Sequence, residues 1–462
     1  MITVKLVDYP VNPAMKVMSY AALGCYSAHE PEFGKMMNVK ERTWDVSHHT
    51  VSQHQNYTFF IEGIAVGDIT LGLHLVSTFY DSEQRSGRFC GAMFSDSDVL
   101  NIIMDYIRDI YGFIIGDRGG FIFDRIHHYI EHCLSIYNEN IEQATKIAAQ
   151  WIREERSNAS EKYIEQNAPK IAQEQLRVFI PVIFPTAVTH SLNLSALATL
   201  YRNAWSEPLK DVTEKMKNAV LEKQPGLEFL FSRAENAQMT DSGDIFIPHF
   251  FEIVDQPSVL LEQLDDSKNF IIPSIDDMYP IDSLPFMPRY MNNRIYSLRV
   301  LTEMSLATMG QDQRHRTINR GFPRFSGRFY LPPIPRAIDG LEEKALAVMN
   351  TWRDIYLNQF TPLNLSLTLL PYGAMVKYQK VANFNAFSHE VFKRTCWCAQ
   401  EEIQYMAILL AQEIVKKDGK DSKLLEVLKP RCAINGKCAE GSRYCGRDLN
   451  KLEEQLYMRR RV

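Results

Sequence analysis

The chain has 462 residues, 45% of them hydrophobic and 23% charged, with a formal net charge of −5 and a pI near 6.2. That length supports more than one sizeable core, and the acidic balance excludes a surface built to hold a polyanion, so nucleic acid is not an expected partner. The N-terminus lacks a basic region followed by a long apolar run, and the most apolar stretch, residues 179–188, is broken by Pro181 and Pro185, so neither export nor membrane insertion is expected and the location is expected to be cytoplasmic.

In chain order, residues 2–8 read as a strand, and 57–64 and 69–78 as further apolar segments. Residues 98–115 and 123–138 carry Ile, Leu, Tyr and Phe at helical spacing, and 139–178, rich in Glu, Gln, Lys and Ala, predicts a long, partly exposed helix. Residues 191–222 predict helix on both sides of Pro208. Gly, Pro, Asn, Asp and Ser gather between 224 and 245, which predicts a boundary there and two units, 1–235 and 236–462. The second unit opens on a strand-like 246–254, passes through a Pro-punctuated loop at 271–289, and predicts helix at 341–359 and, without interruption, at 383–416. The basic end, Arg459 to Arg461, reads as solvated.

Repetition orders these pieces. Ser86-Gly87-Arg88-Phe89 recurs as Ser326-Gly327-Arg328-Phe329, 240 residues later. Each copy is followed by an apolar residue and proline and then by an asparagine: Phe184-Pro185 with Asn193, and Leu370-Pro371 with Asn383. Two landmarks in one order predict a duplicated chain of the α+β class, each repeat a sheet packed with long helices. Gln311-Asp312-Gln313-Arg314-His315-Arg316 concentrates positive charge, which must be solvated or face an anion. The Ser-Gly-Arg turn that follows suits a phosphate: glycine allows close backbone approach, serine supplies a hydroxyl and arginine a bidentate fork.

These residues carry a resemblance to the flavin-dependent thymidylate synthases, whose signature is RHRxxSxNExSxRY. The second half keeps Arg314-His315-Arg316 and Ser326 to Phe329, with Pro323-Arg324 where the family has Asn-Glu. The first half keeps Glu83 to Phe89 and has Val76-Ser77-Thr78 where RHR would stand. Downstream, Leu370-Pro371, Asn383, Arg394 and Ala399-Gln400-Glu401-Glu402-Ile403 match the family without a gap, and Thr50 to His54 is similar to its TPFEH segment. The family's arginine four residues before the proline is replaced by Leu367 in the second half and, counting from Pro185, by Pro181 in the first.

The resemblance implies an FAD-dependent enzyme that methylates dUMP to dTMP with methylenetetrahydrofolate and NADPH. It implies FAD contacts from His54, Arg314, His315, Arg316 and Asn383. Nucleotide contacts would come from Ser86, Gly87, Arg88, Gln311, Arg314, Arg328 and Arg394, with Arg394 stabilising charge on the pyrimidine. Family tetramers build each site between subunits, so the two halves are expected to form composite sites within one chain, and the chain to pair into a homodimer. The alternatives are a pyrimidine-nucleotide hydroxymethylase and a flavin- or nucleotide-binding protein without turnover.

Five of eight cysteines follow residue 395, and Cys432, Cys438 and Cys445 lie in one Gly- and basic-rich loop, with Cys396 and Cys398 nearby. A structural zinc or iron–sulfur cluster and free cytosolic thiols are the two readings of that tail. His127, His128 and His132 read as members of an amphipathic helix.

Overall fold

A computed structural model describes residues 2–75, 80–85, 87, 94–116, 120–235, 237, 247–264, 297–438, 440–441 and 444–462. Ser86, Arg88, residues 76–79 and the loop at 271–289 lie outside them.

The first half runs β1 (Thr3–Asp8), α1 (Ala14–Gly24), β2 (Asn56–Ala65), α2 (Val66–Asp68), β3 (Tyr80–Gln84), α3 (Val99–Ile115), α4 (Gly120–Glu155), α5 (Glu161–Leu176), β4 (Pro185–Asn193), α6 (Leu194–Arg202) and α7 (Glu207–Lys223). The second runs β5 (Glu252–Val254), β6 (Ser258–Leu264), β7 (Ser297–Ser305), α8 (Leu306–Asp312), β8 (Asn319–Arg320), β9 (Arg324–Tyr330), α9 (Pro333–Arg336), α10 (Leu341–Tyr356), α11 (Leu363–Thr368), β10 (Ala374–Asn383), α12 (Phe384–Arg394) and α13 (Glu401–Asp418). One sheet has the order β1-β2-β4-β3; the other has β5-β9-β10-β7-β6, with β8 also on β10. Mixed helix and sheet make the chain α+β.

The same succession of strand, short helix, long helices, strand, helix appears in both halves. The central strands β4 and β10 each end on an asparagine that caps the next helix. Asn193 Oδ1 accepts from the Ala196 amide at 2.8 Å and Asn383 Oδ1 from the Ala386 amide at 3.0 Å. The predicted helix at 383–416 is therefore two helices preceded by a strand. The alternation of buried and exposed positions from Val376 through Lys377, Tyr378, Gln379 and Lys380 to Val381 suits a sheet, and the break at 395–400 buries Trp397. The helix predicted over 139–178 is likewise interrupted, between α4 and α5, where Ser160 caps the second piece. Pro208 sits in the first turn of α7, where its missing N–H costs nothing.

The halves share one apolar core, in which α4 and α5 pack on α9 and α10. They meet at the Ile180-Pro181 and Leu370-Pro371 segments. Val182 N donates to Leu370 O at 2.8 Å and Tyr372 N to Ile180 O at 2.9 Å, a reciprocal pair around the Pro181–Pro371 bridge. This junction corrects the pairing of landmarks. Pro181, not Pro185, stands opposite Pro371, and each lies twelve residues before its capping asparagine. The C-terminal arginines are not a solvated end. Arg460 is buried and bonds Ala399 O, and Arg461 Nε binds Glu155 at 2.6 Å.

Since both asparagines cap helices, alanine at Asn193 or Asn383 should each cost about 1 kcal/mol of stability. Equal losses in urea midpoint at the two positions are the expected result, and a markedly larger loss at one of them would give that asparagine a part beyond the cap.

Candidate functional site

A cavity of about 110 Å³ opens where the two halves join. Gln84, Arg85, Gly87, Arg177 and Thr186 reach it from the first half, and Gln311, Arg314, Tyr372 and Arg394 from the second. No carboxylate is among its described lining residues.

Arg394 ends α12 and is held from both sides. Its Nε donates to His315 Nε2 at 2.9 Å and its Nη2 to Gln311 O at 2.9 Å, which leaves three N–H donors for a ligand. Burial lowers its pKa and nearby Arg314 adds to that shift. His315 must accept through Nε2. It is buried, its pKa is held well below the usual histidine value by burial first and then by Arg394, and a neutral ring is what this bond requires.

Arg177 follows α5 and is buried. Its guanidinium lies 5.1 Å over the Tyr372 ring, Nη2 stands 3.5 Å from Ala307 O, and burial lowers its pKa. A Cβ on Gly87 would come within 3.2 Å of Arg177 Nη1, so glycine lets the backbone approach that charge. Arg177 is four residues before Pro181, the place of the arginine counted as lost from the first half. Counting back twelve residues from Asn193 finds it. Among the described residues, Arg177 Nε, Thr186 Oγ1 and Gln311 Oε1 are buried without a hydrogen-bond partner, which marks the cavity as prepared for a polar ligand.

Segment Ala399–Ile403 positions the helix that carries Gln311. Glu402 accepts from Ser305 N at 2.8 Å, Ser305 Oγ at 2.5 Å and Thr308 Oγ1 at 2.5 Å, at the start of α8. Gln400 Oε1 accepts from Gln311 Nε2. The sequence motif thus acts by holding α8 and not by touching the cavity.

The structure gathers Gly87, Gln311, Arg314 and Arg394 at one place. It does not bring Arg328 there: Arg328 Nε binds Glu252 at 2.7 Å and Nη1 binds Glu303 at 3.1 Å, so its charge is already met. Arg316 is turned to the first half, 2.8 Å from Asp81 and 2.9 Å from Ser82 O, with its guanidinium 5.3 Å from the Tyr80 ring centre. Arg314 is exposed at the cavity edge, whereas His54 is exposed on a 3-10 turn and does not line the cavity.

Counted by the same spacings from Asn193, Pro371 and the first-half strand β2, the positions of Gln311, Arg314, Arg177 and Arg394 are matched by Leu71, His74, Leu367 and Ala204. Trp205 Nε1 donates to Leu71 O at 3.1 Å, as Arg394 does to Gln311 O. The Phe329 ring packs against Gly373.

Residues 5–222 match the family model described as thymidylate synthase complementing protein. The chain is similar to thymidylate synthase X from Helicobacter pylori, solved with FAD and dUMP, at 15% identity and a TM-score of 0.33 over 50% of this chain and 98% of that one. It is also similar to the UMP/dUMP methylase PolB from Streptomyces cacaoi, solved with 5-Br dUMP, at 15% identity and a TM-score of 0.31 over 49% and 92%. No curated protein matches. Among the described residues, no helix is long and apolar enough to cross a membrane.

Proposed function

We propose that the chain, whose residues 5–222 match the family model described as thymidylate synthase complementing protein, is an FAD-dependent enzyme that methylates dUMP at C5. The observation that carries this reading is the convergence of Arg177 from one half and Arg314 and Arg394 from the other on a cavity without a lining carboxylate. A nucleotide monophosphate is an anion with a polar base, and the unpartnered atoms of Thr186 and Gln311 suit its rim. Arg177 and Arg314 meet the phosphate. Arg394, fixed by His315 and Gln311, faces the pyrimidine carbonyl where negative charge develops.

FAD supplies the hydride chemistry when bound, with NADPH and methylenetetrahydrofolate as co-substrates. Of the residues assigned to FAD from sequence, His315, Arg316 and Asn383 are engaged within the protein and His54 does not line the cavity, so Arg314 alone of them is left facing it. The duplication reading belongs with this proposal: units 1–235 and 236–462 are two copies, one composite site survives and the other has been packed shut, and two chains pair to match a family tetramer.

The test is purified protein titrated with dUMP and FAD, followed by mass analysis of the nucleotide after NADPH and methylenetetrahydrofolate are added. Saturable dUMP binding, flavin absorption and dTMP are expected. A hydroxymethylated product would replace the methylation step. Protein that takes up flavin and dUMP without turnover would reduce the chain to a binder, and protein that takes up neither would overturn the proposal.

A further inference from the structure

The loop at 430–447 folds back onto the turn between α12 and α13. Cys396 and Cys398 from that turn and Cys432, Cys438 and Cys445 from the loop all line one cavity of about 240 Å³. None of these five is in a disulfide. Cys398 is hydrogen-bonded to both Cys396 and Cys445. The Glu440 amide donates to Cys438 Sγ at 3.5 Å, and the Arg447 backbone bonds Cys445. Arg394, Arg431 and Arg447 line the same space, against a single carboxylate, Glu440. The loop is pinned: Gly446, at a φ of 79°, accepts from Asn158 N at 3.2 Å through its carbonyl, and a Cβ there would strike Ala159.

This arrangement separates the metal chemistries. Four thiolates about 2.3 Å from one zinc lie roughly 3.8 Å apart. Among the described residues, the only three-donor group with ligand atoms within 4.8 Å of one another is His127, His128 and Glu131 on α4, two of which are exposed. The Cys398 sulfur touches those of Cys396 and Cys445, but among the described residues no three of the five thiols all lie within 4.8 Å of one another, so they are spread around the cavity. N–H donors to sulfur and surrounding guanidinium groups suit a thiolate-ligated cluster with net negative charge.

We infer that four of these five cysteines ligate an iron–sulfur cluster. Its site shares Arg394 with the proposed nucleotide cavity, since Arg394 lines both. The inference does not rest on the proposed reaction.

The experiment is anaerobic purification of the full chain, reconstituted with ferrous iron and sulfide, with iron, zinc and acid-labile sulfide measured alongside flavin. About four irons and four sulfides per chain are expected, with a broad absorption that bleaches on reduction and an electron paramagnetic resonance signal in the reduced state. The double variant Cys432→Ser/Cys445→Ser should lose iron and sulfide while retaining the parent far-UV circular dichroism, which reports that it has folded. Single serine variants should lower iron at four of the five positions. Zinc without sulfide, reconstituted protein without iron, or a folded double variant with unchanged iron content would each overturn the inference. Loss of flavin binding alone would strike the proposed function and leave the cluster standing.

Discussion

Arg394→Ala should weaken dUMP binding by about 3 to 4 kcal/mol, a factor of roughly 100 to 1,000. The size follows from how the side chain is held. Two of its N–H groups are spent on His315 and Gln311 O, both at 2.9 Å, so the planar fork is oriented before any ligand arrives. Lysine cannot make the paired bonds, so Arg394→Lys should recover little of the loss. Titration calorimetry reads both variants, with far-UV circular dichroism as the check on folding. Binding within tenfold of the parent protein in Arg394→Ala would mean that this arginine serves only α8 and not the nucleotide.

Arg177→Leu should move stability and binding in opposite directions. Arg177 is buried, its Nε finds no partner among the described residues, and its best polar contact is 3.5 Å long. Keeping a charge there without a matched carboxylate in hydrogen-bond contact costs desolvation energy. Leucine is what the chain has four residues before Pro371, at Leu367, where it is buried. We expect the variant to unfold at higher urea, with a gain of about 1 to 3 kcal/mol, while dUMP affinity falls roughly 100-fold. A nucleoside lacking the phosphate should bind parent and variant alike. If the variant is destabilised and affinity unchanged, Arg177 is a structural residue and the phosphate lies elsewhere.

The α+β class was legible in the sequence, and four of the site residues named from it, Gly87, Gln311, Arg314 and Arg394, line one cavity. The spacing from Leu370 to Ile403 identified Arg394 and the segment that fixes α8, because a motif with a fixed count of residues survives divergence. Arg177 was missed because two prolines, Pro181 and Pro185, compete for one landmark, and the wrong one shifts the count by four. The asparagines were legible as positions but not as caps: a strand that ends on a capping residue and the helix it starts read as one apolar run. Arg328 was misassigned because the partners that neutralise it, Glu252 and Glu303, come from strands that no local pattern joins. Nor could sequence distances bring Cys396 to Cys445, since the intervening helix α13 and its return loop set that closure.

The reciprocal bonds at Pro181 and Pro371 have a consequence for how this site behaves on dilution. Walls that separate subunits would bring together only by encounter are here tethered on one polypeptide, so their meeting has an effective molarity set by the connecting chain and not by protein concentration. Dilution that would take apart a site shared between subunits leaves this contact intact. Each half is also relieved of having to be complete, since neither is ever without the other.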